Sequence, residues 1–126
     1  MSNKLYYLAS PYSHTSQYVK NRRHLEIDYI GGLLTLNDYF IVGPISMNAP
    51  WANLHSDISG MWDFWEKFDK ILIDRCDGLL VATMEGWKES VGVQAEIKYA
   101  KSLGKSILYL DANKALTEDK IEITEE

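Results

Sequence analysis

The stretch Asp77-Gly78-Leu79-Leu80-Val81-Ala82-Thr83 is the part of the sequence that decides the fold. It is nearly apolar throughout, which is typical of a central strand covered on both faces of a parallel sheet. After a short loop, Ser90-Val91-Gly92-Val93-Gln94-Ala95-Glu96 opens a segment with helical periodicity that runs to about Leu103. A buried strand followed by an amphipathic helix is the repeating unit of α/β proteins.

The rest of the chain continues this alternation. Further strands are predicted at 5–10, 39–42 and 105–110, and further helices from a cap at Ser13, Thr15 or Ser16 to about Asn37 and at 60–75. Residues 44–59 are predicted as an irregular loop that borders a binding site. Parallel strands with right-handed crossovers then give a three-layer α/β/α sandwich with a mostly parallel, doubly wound sheet of four to five strands.

The domain organisation follows from the length of 126 residues, which suits one domain with a sizeable core. Residues 1–112 are predicted to form this α/β domain. Residues 113–126 are predicted to be an acidic C-terminal tail that either is partly disordered or adds a short strand at 120–124.

Composition and charge exclude several classes of function. The formal charge of −5 argues against binding to nucleic acid, which needs a basic face, and no apolar run is long enough for a membrane span. The N-terminal residues lead directly into a strand, so no signal peptide is expected. A single cysteine, Cys76, suits the reducing cytoplasm, and three scattered histidines predict no metal site.

Glu96 occupies an unusual place on its predicted helix. At about 100° per residue it falls inside the apolar stripe, which consists of Val93, Ile97, Ala100 and Leu103. A carboxylate there must be paired, neutralised or used, so Glu96 is either a structural partner of a Lys, Arg or Tyr or a nucleophile or general base.

The start of the same helix is a candidate anion site. Ser90, Gly92 and the N–H groups of the first turn form a plausible cradle for an anion, although Ser90 is equally well explained as a helix N-cap. The residues that follow the first strand, Ser10-Pro11-Tyr12-Ser13, come to the same edge of the sheet, where ligands bind in doubly wound folds.

Asp69 is the second candidate for chemistry. On its helix it lies beside Trp62, Trp65 and Ile73, and an aspartate against indole rings has a raised pKa that suits a general acid. The more ordinary alternative is a residue at the edge of the stripe that turns to solvent. Tyr7, within the first strand, either points its hydroxyl into the site or packs in the core.

Several aromatic side chains have the shape to stack on a flat base. They are Tyr12, Trp51, Trp62 and Trp65, and the alternative for each is a place in the core or in a lid. The sequence contains neither a dinucleotide-binding fingerprint nor a P-loop, because the turn after the first strand has no glycine.

Three segments together resemble the nucleoside 2-deoxyribosyltransferase superfamily. Tyr7-Leu8-Ala9-Ser10-Pro11-Tyr12-Ser13 is similar to its first strand and substrate loop, and Asp69-Lys70-Ile71-Leu72-Ile73-Asp74-Arg75-Cys76-Asp77 to its paired-aspartate segment before the third strand. Ser90 to Glu96 resembles its nucleophile helix. The order and spacing agree over roughly residues 5–110.

The resemblance implies a role for each matching residue. Glu96 corresponds to the nucleophile, Asp69 to the acid or sugar-orienting carboxylate, and Tyr7 to the residue that positions Glu96. Transferases of this superfamily carry an aspartate at the position of Ser90, whereas the nucleoside 5′-monophosphate N-glycosidases carry a serine that helps to bind the 5′-phosphate. The chain therefore resembles the N-glycosidase branch more closely, and a serine also avoids the repulsion between an aspartate and a phosphate.

The remaining expected phosphate and substrate contacts come from Gly92 and from Ser10, Pro11, Tyr12 and Ser13. The superfamily's glycine-rich first loop is replaced here by Pro11-Tyr12-Ser13-His14. The base-stacking candidates remain Trp51, Trp62 and Trp65.

The activity that the resemblance implies is hydrolysis of the N-glycosidic bond of a (deoxy)nucleoside 5′-monophosphate through a covalent glycosyl–Glu96 intermediate. The alternatives are base exchange by a nucleoside 2-deoxyribosyltransferase and a non-catalytic nucleotide-binding module. The expected partners are a small nucleotide or nucleoside and further copies of the chain in a homodimer or larger homo-oligomer. Neither a metal nor an organic cofactor is expected.

Overall fold

The structure, a computed structural model, describes residues 3–58 and 61–126 as five strands and five helices. The strands are β1 (Leu5–Ala9), β2 (Phe40–Val42), β3 (Gly78–Ala82), β4 (Ser106–Leu110) and β5 (Ile123–Glu125). The helices are α1 (Gln17–Leu36), α2 (Pro44–Leu54), α3 (Trp62–Arg75), α4 (Val91–Ser102) and α5 (Ala112–Glu118). One sheet has the strand order β2-β1-β3-β4-β5, in which β5 alone is antiparallel to its neighbour.

β3 lies at the centre of the sheet and is buried along its whole length. Leu79 and Val81 pack on one face beneath α3 and α4, and Leu80 and Ala82 pack on the other face beneath α1 and α5. The alternation of successive side chains between the two faces explains why nearly every position of this strand is apolar. The three-layer α/β/α sandwich with a mostly parallel sheet is therefore confirmed.

The prediction of an irregular loop at 44–59 is wrong for its first part, because residues 44–54 form α2. Pro44 occupies the first turn, where proline's fixed φ favours a helix and its missing N–H is not needed. Pro50 lies inside the helix and removes one backbone hydrogen bond. Proline and glycine usually interrupt helices, so Gly43, Pro44 and Pro50 made this segment look like a loop in the sequence.

The predicted helix at 60–75 begins at Trp62, and the first predicted residue, Gly60, lies outside the described residues. Several apolar residues that recur at helical spacing in this helix are not on the face that it buries. Phe64, Phe68 and Ile71 are exposed, whereas Asp69 and Ile73 are the buried residues of α3. The helix is thus rotated relative to the orientation that its hydrophobic pattern alone favours, and the rotation turns Asp69 inward.

The acidic segment 113–126, predicted as a tail, contains α5 and β5. Asp111 caps α5 by accepting a hydrogen bond from the backbone N–H of Lys114, and Ala115 is fully buried. β5 extends the sheet by pairing with β4, so the short strand that the sequence allowed is found at slightly later residues. Among residues 3–58 and 61–126, no helix has the length and apolar character needed to cross a bilayer.

The direction of strand succession reverses between β1 and β3, because the chain moves from β1 to β2 on one side and from β3 to β4 on the other. Such a switch point leaves a crevice outside the carboxyl ends of the two strands, where ligands bind in open α/β sheets. The segments that follow β1, β2 and β3 all meet at this edge.

Candidate active site

A cavity of about 830 Å³ lies at the carboxyl edge of the sheet. Its walls come from the segments that follow β1, β2 and β3, together with one side of α3. The volume is in the range of sites for small organic ligands.

Two parts of the cavity wall differ in character. The carboxylate end contains Asp69 and Glu96 with Tyr7 behind them, and the loop end consists of residues 10–15 and 89–92.

The carboxylate end joins three elements. The hydroxyl of Tyr7, on β1, donates a short hydrogen bond to Oε2 of Glu96, on α4. Asp69, on α3, is close enough to both residues to influence the pKa of each. Glu96 and Asp69 are only 6% and 7% exposed, and Tyr7 is fully buried. The Oδ1 atom of Asp69 has no protein partner although it is buried, so an acceptor is left for a ligand.

Burial raises the pKa of both carboxyl groups. The pKa of Asp69 rises to about 6 by desolvation, although hydrogen bonds from Tyr7 and Glu96 act in the opposite direction. Desolvation also raises the pKa of Glu96 well above its usual value; the hydroxyl of Tyr7 lowers it and the charge of Asp69 raises it. The two carboxyl groups interact strongly enough to titrate as a pair, and their raised pKa values favour retention of a proton by the pair.

Tyr7 remains a hydrogen-bond donor throughout the physiological range. Burial raises the pKa of its hydroxyl well above the usual value, and the nearby charges of Glu96 and Asp69 raise it further. Because the phenol donates to Glu96, it favours the ionised form of that carboxyl group. Since burial and Asp69 raise the pKa of Glu96 while Tyr7 lowers it, the retained proton belongs to the Asp69–Glu96 pair as a whole.

The local sequence explains how the three side chains meet. Tyr7 and Ala9 point to the face of β1 that α3 and α4 cover, because alternate strand residues share a face. Glu96 lies on the buried face of α4 with Val93, Ile97 and Ala100. Because Glu96 lies on this apolar face of α4, its side chain points inward between the helix and the sheet.

The loop end combines helix capping with polar side chains. The Oγ atom of Ser90 accepts a hydrogen bond from the backbone N–H of Val93 at 3.2 Å, so Ser90 is the N-cap of α4 and also lines the cavity. Gly92 lies against Trp62, since a Cβ added to it would stand 3.8 Å from the indole. Tyr12 and Ser13 line the cavity, and Ser10 contributes a buried Oγ atom that has no protein partner.

Two of the predicted contact residues do not reach the cavity wall. Pro11 is fully buried in the core and does not line the cavity. Trp51 is 47% exposed on α2 and lies outside the cavity, whereas Trp62 and Trp65 of α3 form part of its wall. The two tryptophans of α3 therefore remain the candidates for stacking on a flat base.

Sequence reasoning missed Asn48, which lines the cavity from α2. Asn48 is almost fully buried, and its Oδ1 atom has no protein partner. The other α2 residues in the wall are apolar, namely Pro44, Ile45, Ala49 and Ala52. The helical spacing of Ile45, Asn48, Ala49 and Ala52 was the available signal, and the loop prediction concealed it.

The charges in the cavity wall are mixed. The carboxylates are Asp63, Asp69, Glu89 and Glu96, and the basic side chains are Lys20 and His14 from the loop end and α1. Lys20 and His14 were not singled out in the sequence. Among the described residues, no cluster of His, Cys, Asp and Glu side chains is arranged to hold a metal ion.

Comparison with known proteins gives one finding about family. No curated protein matches this sequence. The family model described as "Domain of unknown function (DUF1937)" matches residues 4–112, a range that includes both buried carboxylates and every residue of the cavity wall. The chain therefore belongs to the family of the domain of unknown function DUF1937.

Proposed function

We propose that the protein hydrolyses the N-glycosidic bond of a (deoxy)nucleoside 5′-monophosphate, giving a free base and a (deoxy)ribose 5-phosphate. The observation that carries the proposal is the buried carboxylate end, where Tyr7 donates to Glu96 beside Asp69 at the wall of a ligand-sized cavity. Two buried carboxyl groups with raised pKa values in a cleft are typical of acid–base and nucleophilic chemistry. The resemblance to the nucleoside 2-deoxyribosyltransferase superfamily supports the same chemistry.

In the first step, the ionised carboxylate of Glu96 attacks C1′ of the sugar as the bond from C1′ to the base nitrogen breaks. In the reactive form of the pair, Asp69 carries the shared proton and transfers it to the departing base. The product is a sugar phosphate esterified to Glu96 together with a neutral free base. Tyr7 holds the attacking carboxylate in place and stabilises its charge before attack.

In the second step, water attacks C1′ of the ester and the bond from C1′ to Glu96 breaks. Asp69, now ionised, accepts the proton that the water loses, so the site returns to its starting state. Trp62 and Trp65 provide flat apolar surfaces against which a base can stack, and Asn48 offers a buried acceptor within the same wall.

The loop end supports a phosphorylated substrate. The N-terminus of α4 presents backbone N–H groups capped by Ser90, and the hydroxyl and basic groups of Ser13, Thr15 and Lys20 line the same part of the cavity. Helix N-termini with such donors favour phosphate groups. The 5′-phosphate is proposed to lie here while the glycosidic bond faces Glu96.

One observation favours a second function, base exchange between unphosphorylated nucleosides. Glu89 precedes Ser90 and its side chain lines the cavity at the start of α4, where a carboxylate would repel a phosphate and accept a hydrogen bond from a sugar hydroxyl. In this alternative, Glu96 forms the same covalent intermediate and a second free base replaces water.

One assay separates these functions. Purified protein is incubated with a panel of ribo- and deoxyribonucleosides, each with and without a 5′-phosphate, and base release is measured by chromatography. Hydrolysis predicts base release that depends on the 5′-phosphate. Base exchange predicts a new nucleoside when a second free base is added and weaker reaction with the phosphorylated compounds. Tight binding without base release from any member of the panel would contradict both and leave a nucleotide-binding module.

We also propose that the protein forms homo-oligomers in the cytoplasm. The exposed face of α3 presents Phe64, Phe68 and Ile71, a surface suited to another copy of the chain. The single thiol, Cys76, is buried and compatible with a reducing compartment. Light scattering of the protein and of Phe64→Ser measures the oligomeric state, which the substitution is expected to lower.

A further inference from the structure

Arg23 links the two segments that form the loop end of the cavity. This residue of α1 is buried, with 8% of its surface exposed. Its Nη1 atom donates hydrogen bonds to the carbonyl oxygens of Ser13 at 2.9 Å and Tyr12 at 3.5 Å. Its Nη2 atom donates to the carbonyl oxygen of Glu85 at 3.3 Å. One guanidinium therefore connects the loop after β1 to the loop between β3 and α4.

The backbone of the second loop is shaped to admit this guanidinium. Gly86 has a φ of +93°, a conformation that side chains other than glycine rarely adopt. A Cβ atom at this position would also collide with Nη2 of Arg23. The conformation therefore favours glycine at position 86, and any side chain there would have to displace the guanidinium of Arg23.

The charge of Arg23 is not neutralised by a neighbour. Its acceptors are uncharged carbonyl oxygens, and in the described part of the chain no Asp or Glu forms an ion pair with it. A buried cation without an anionic partner is costly, and its field is weakly screened. The side chain lies behind Tyr12 and Ser13, both of which line the cavity. The potential at the loop end is therefore more positive than the lining residues alone would make it.

We infer that Arg23 is a positioning residue that fixes both loops and makes the loop end attractive to a phosphate group. The choice of a 5′-phosphorylated substrate would then depend on Arg23 behind the wall as well as on Ser90 at its surface. This role also offsets the repulsion expected from Glu89 at the same end. The link to substrate choice rests on the proposed function, whereas the binding of an anion at the loops does not.

The test compares Arg23→Met with the matched control Arg22→Met. The control removes the same charge from the neighbouring residue, whose side chain does not line the cavity. Inorganic phosphate is titrated into each protein, and the amide signals of residues 12–15 and 90–92 are followed by NMR. Wild type and the Arg22→Met protein are expected to bind phosphate at these amides. Arg23→Met is expected to bind it about tenfold more weakly, the effect of one charge at several ångströms in a partly shielded site.

Hydrogen exchange gives a readout that a general loss of stability would not reproduce. Arg23→Met is expected to speed hydrogen exchange selectively in segments 12–16 and 84–90. Arg23→Lys keeps the charge but lacks the planar guanidinium, so it is expected to speed exchange in the same segments while retaining more of the phosphate affinity. A uniform increase across the sheet and all helices, or unchanged phosphate affinity in the folded Arg23→Met protein, would overturn the inference.

If Arg23→Met does not fold, Gly86→Ala tests the same contact from the other side. The added methyl group displaces the guanidinium, so phosphate affinity should fall and exchange should rise in both loops; unchanged values would overturn the inference. The ratio of kcat/KM for a nucleotide to that for its nucleoside should also fall about tenfold in Arg23→Met. A failure of the proposed function would instead appear as absent base release in wild type, while the phosphate titration still decides the role of Arg23.

Discussion

The two ends of the cavity differ in how the chain holds their polar groups. At the carboxylate end, Tyr7, Asp69 and Glu96 project from β1, α3 and α4. All three are buried, and a hydrogen bond joins Tyr7 to Glu96. At the loop end, the polar groups belong to residues 10–15 and 89–92, and many are partly exposed. Regular elements hold side chains more rigidly than loops do. Under the proposed function, the groups that act on the glycosidic bond are therefore separated from the groups that select the substrate.

This separation has a kinetic consequence. Changes at the carboxylate end should lower kcat, because the proposed function has these groups act on the breaking bond. Changes at the walls that hold the base and the phosphate should mainly alter KM or the preference between substrates. A change at the carboxylate end that altered only KM, or a change at the loop end that abolished kcat, would contradict this separation.

The largest effect is expected for Glu96→Gln. The substitution keeps the shape of the side chain but removes the nucleophile, so kcat should fall by about four orders of magnitude or more. The melting temperature should not fall, because an amide is less costly to bury than a carboxylate. The measurement is steady-state base release together with thermal unfolding.

Glu89→Gln is the matched control for that variant, since it makes the same chemical change at the exposed start of the same helix. It should keep kcat and bind a phosphorylated substrate more tightly, because a repulsive charge is removed. A similar loss of kcat in both variants would show that the two ends are not separate.

The next largest effect is expected for Asp69→Asn, with a loss in kcat of about 10²-fold or more because the base then leaves without a proton donor. The pKa of Asp69 is raised to about 6, so wild-type activity should decline as the pH rises above this value and the acid ionises. At lower pH, activity should decline once both carboxyl groups of the pair are protonated, because no ionised carboxylate then remains on Glu96 to attack C1′.

The pH dependence of kcat/KM checks this assignment. Asp69→Asn should lose the decline on the alkaline side and keep the decline on the acidic side. The same bell-shaped profile in wild type and in the variant would assign the alkaline group elsewhere.

A smaller effect is expected for Tyr7→Phe. The hydrogen bond to Glu96 is charge-assisted and buried, so its loss should lower kcat about 10- to 100-fold. Without this donor the pKa of Glu96 should rise further, and the acidic decline in activity should move to higher pH. If the decline in activity at low pH occurred at the same pH in Tyr7→Phe as in wild type, Tyr7 would only pack in the core.

The smallest effect is expected for Trp62→Leu, for which Trp51→Leu is the control. Trp62 lines the cavity and Trp51 does not, so Trp62→Leu should raise KM by about tenfold, as expected for one lost stacking contact, with little change in kcat. Trp51→Leu should leave both constants unchanged. Equal effects would indicate that neither indole contacts the base.

The carboxylate end was largely predictable from sequence because its key residue violates a pattern. Glu96 interrupts the apolar stripe of a strongly periodic helix, and Asp69 neighbours two tryptophans on another. The central strand was predictable for the opposite reason, since Leu79 to Val81 obey the pattern for a strand covered on both faces.

The walls around the carboxylate end were less predictable. α2 was hidden by Pro44 and Pro50, which act as breakers in most contexts, and Asn48 was hidden with it. The exposure of Phe64, Phe68 and Ile71 could not be deduced, because periodicity identifies an apolar face but not which neighbour covers it. The burial of Arg23 could not be deduced either, since only the folded loops reveal the carbonyl groups that hold it.

The most direct test of the central claim is mass spectrometry of the protein mixed with reactive nucleoside 5′-monophosphates and quenched rapidly in acid. The predicted result is a sugar-phosphate adduct on the peptide that contains Glu96, present in wild type and absent in Glu96→Gln. Base release by wild type without any adduct, combined with undiminished base release by Glu96→Gln, would contradict the assignment of Glu96 as the nucleophile.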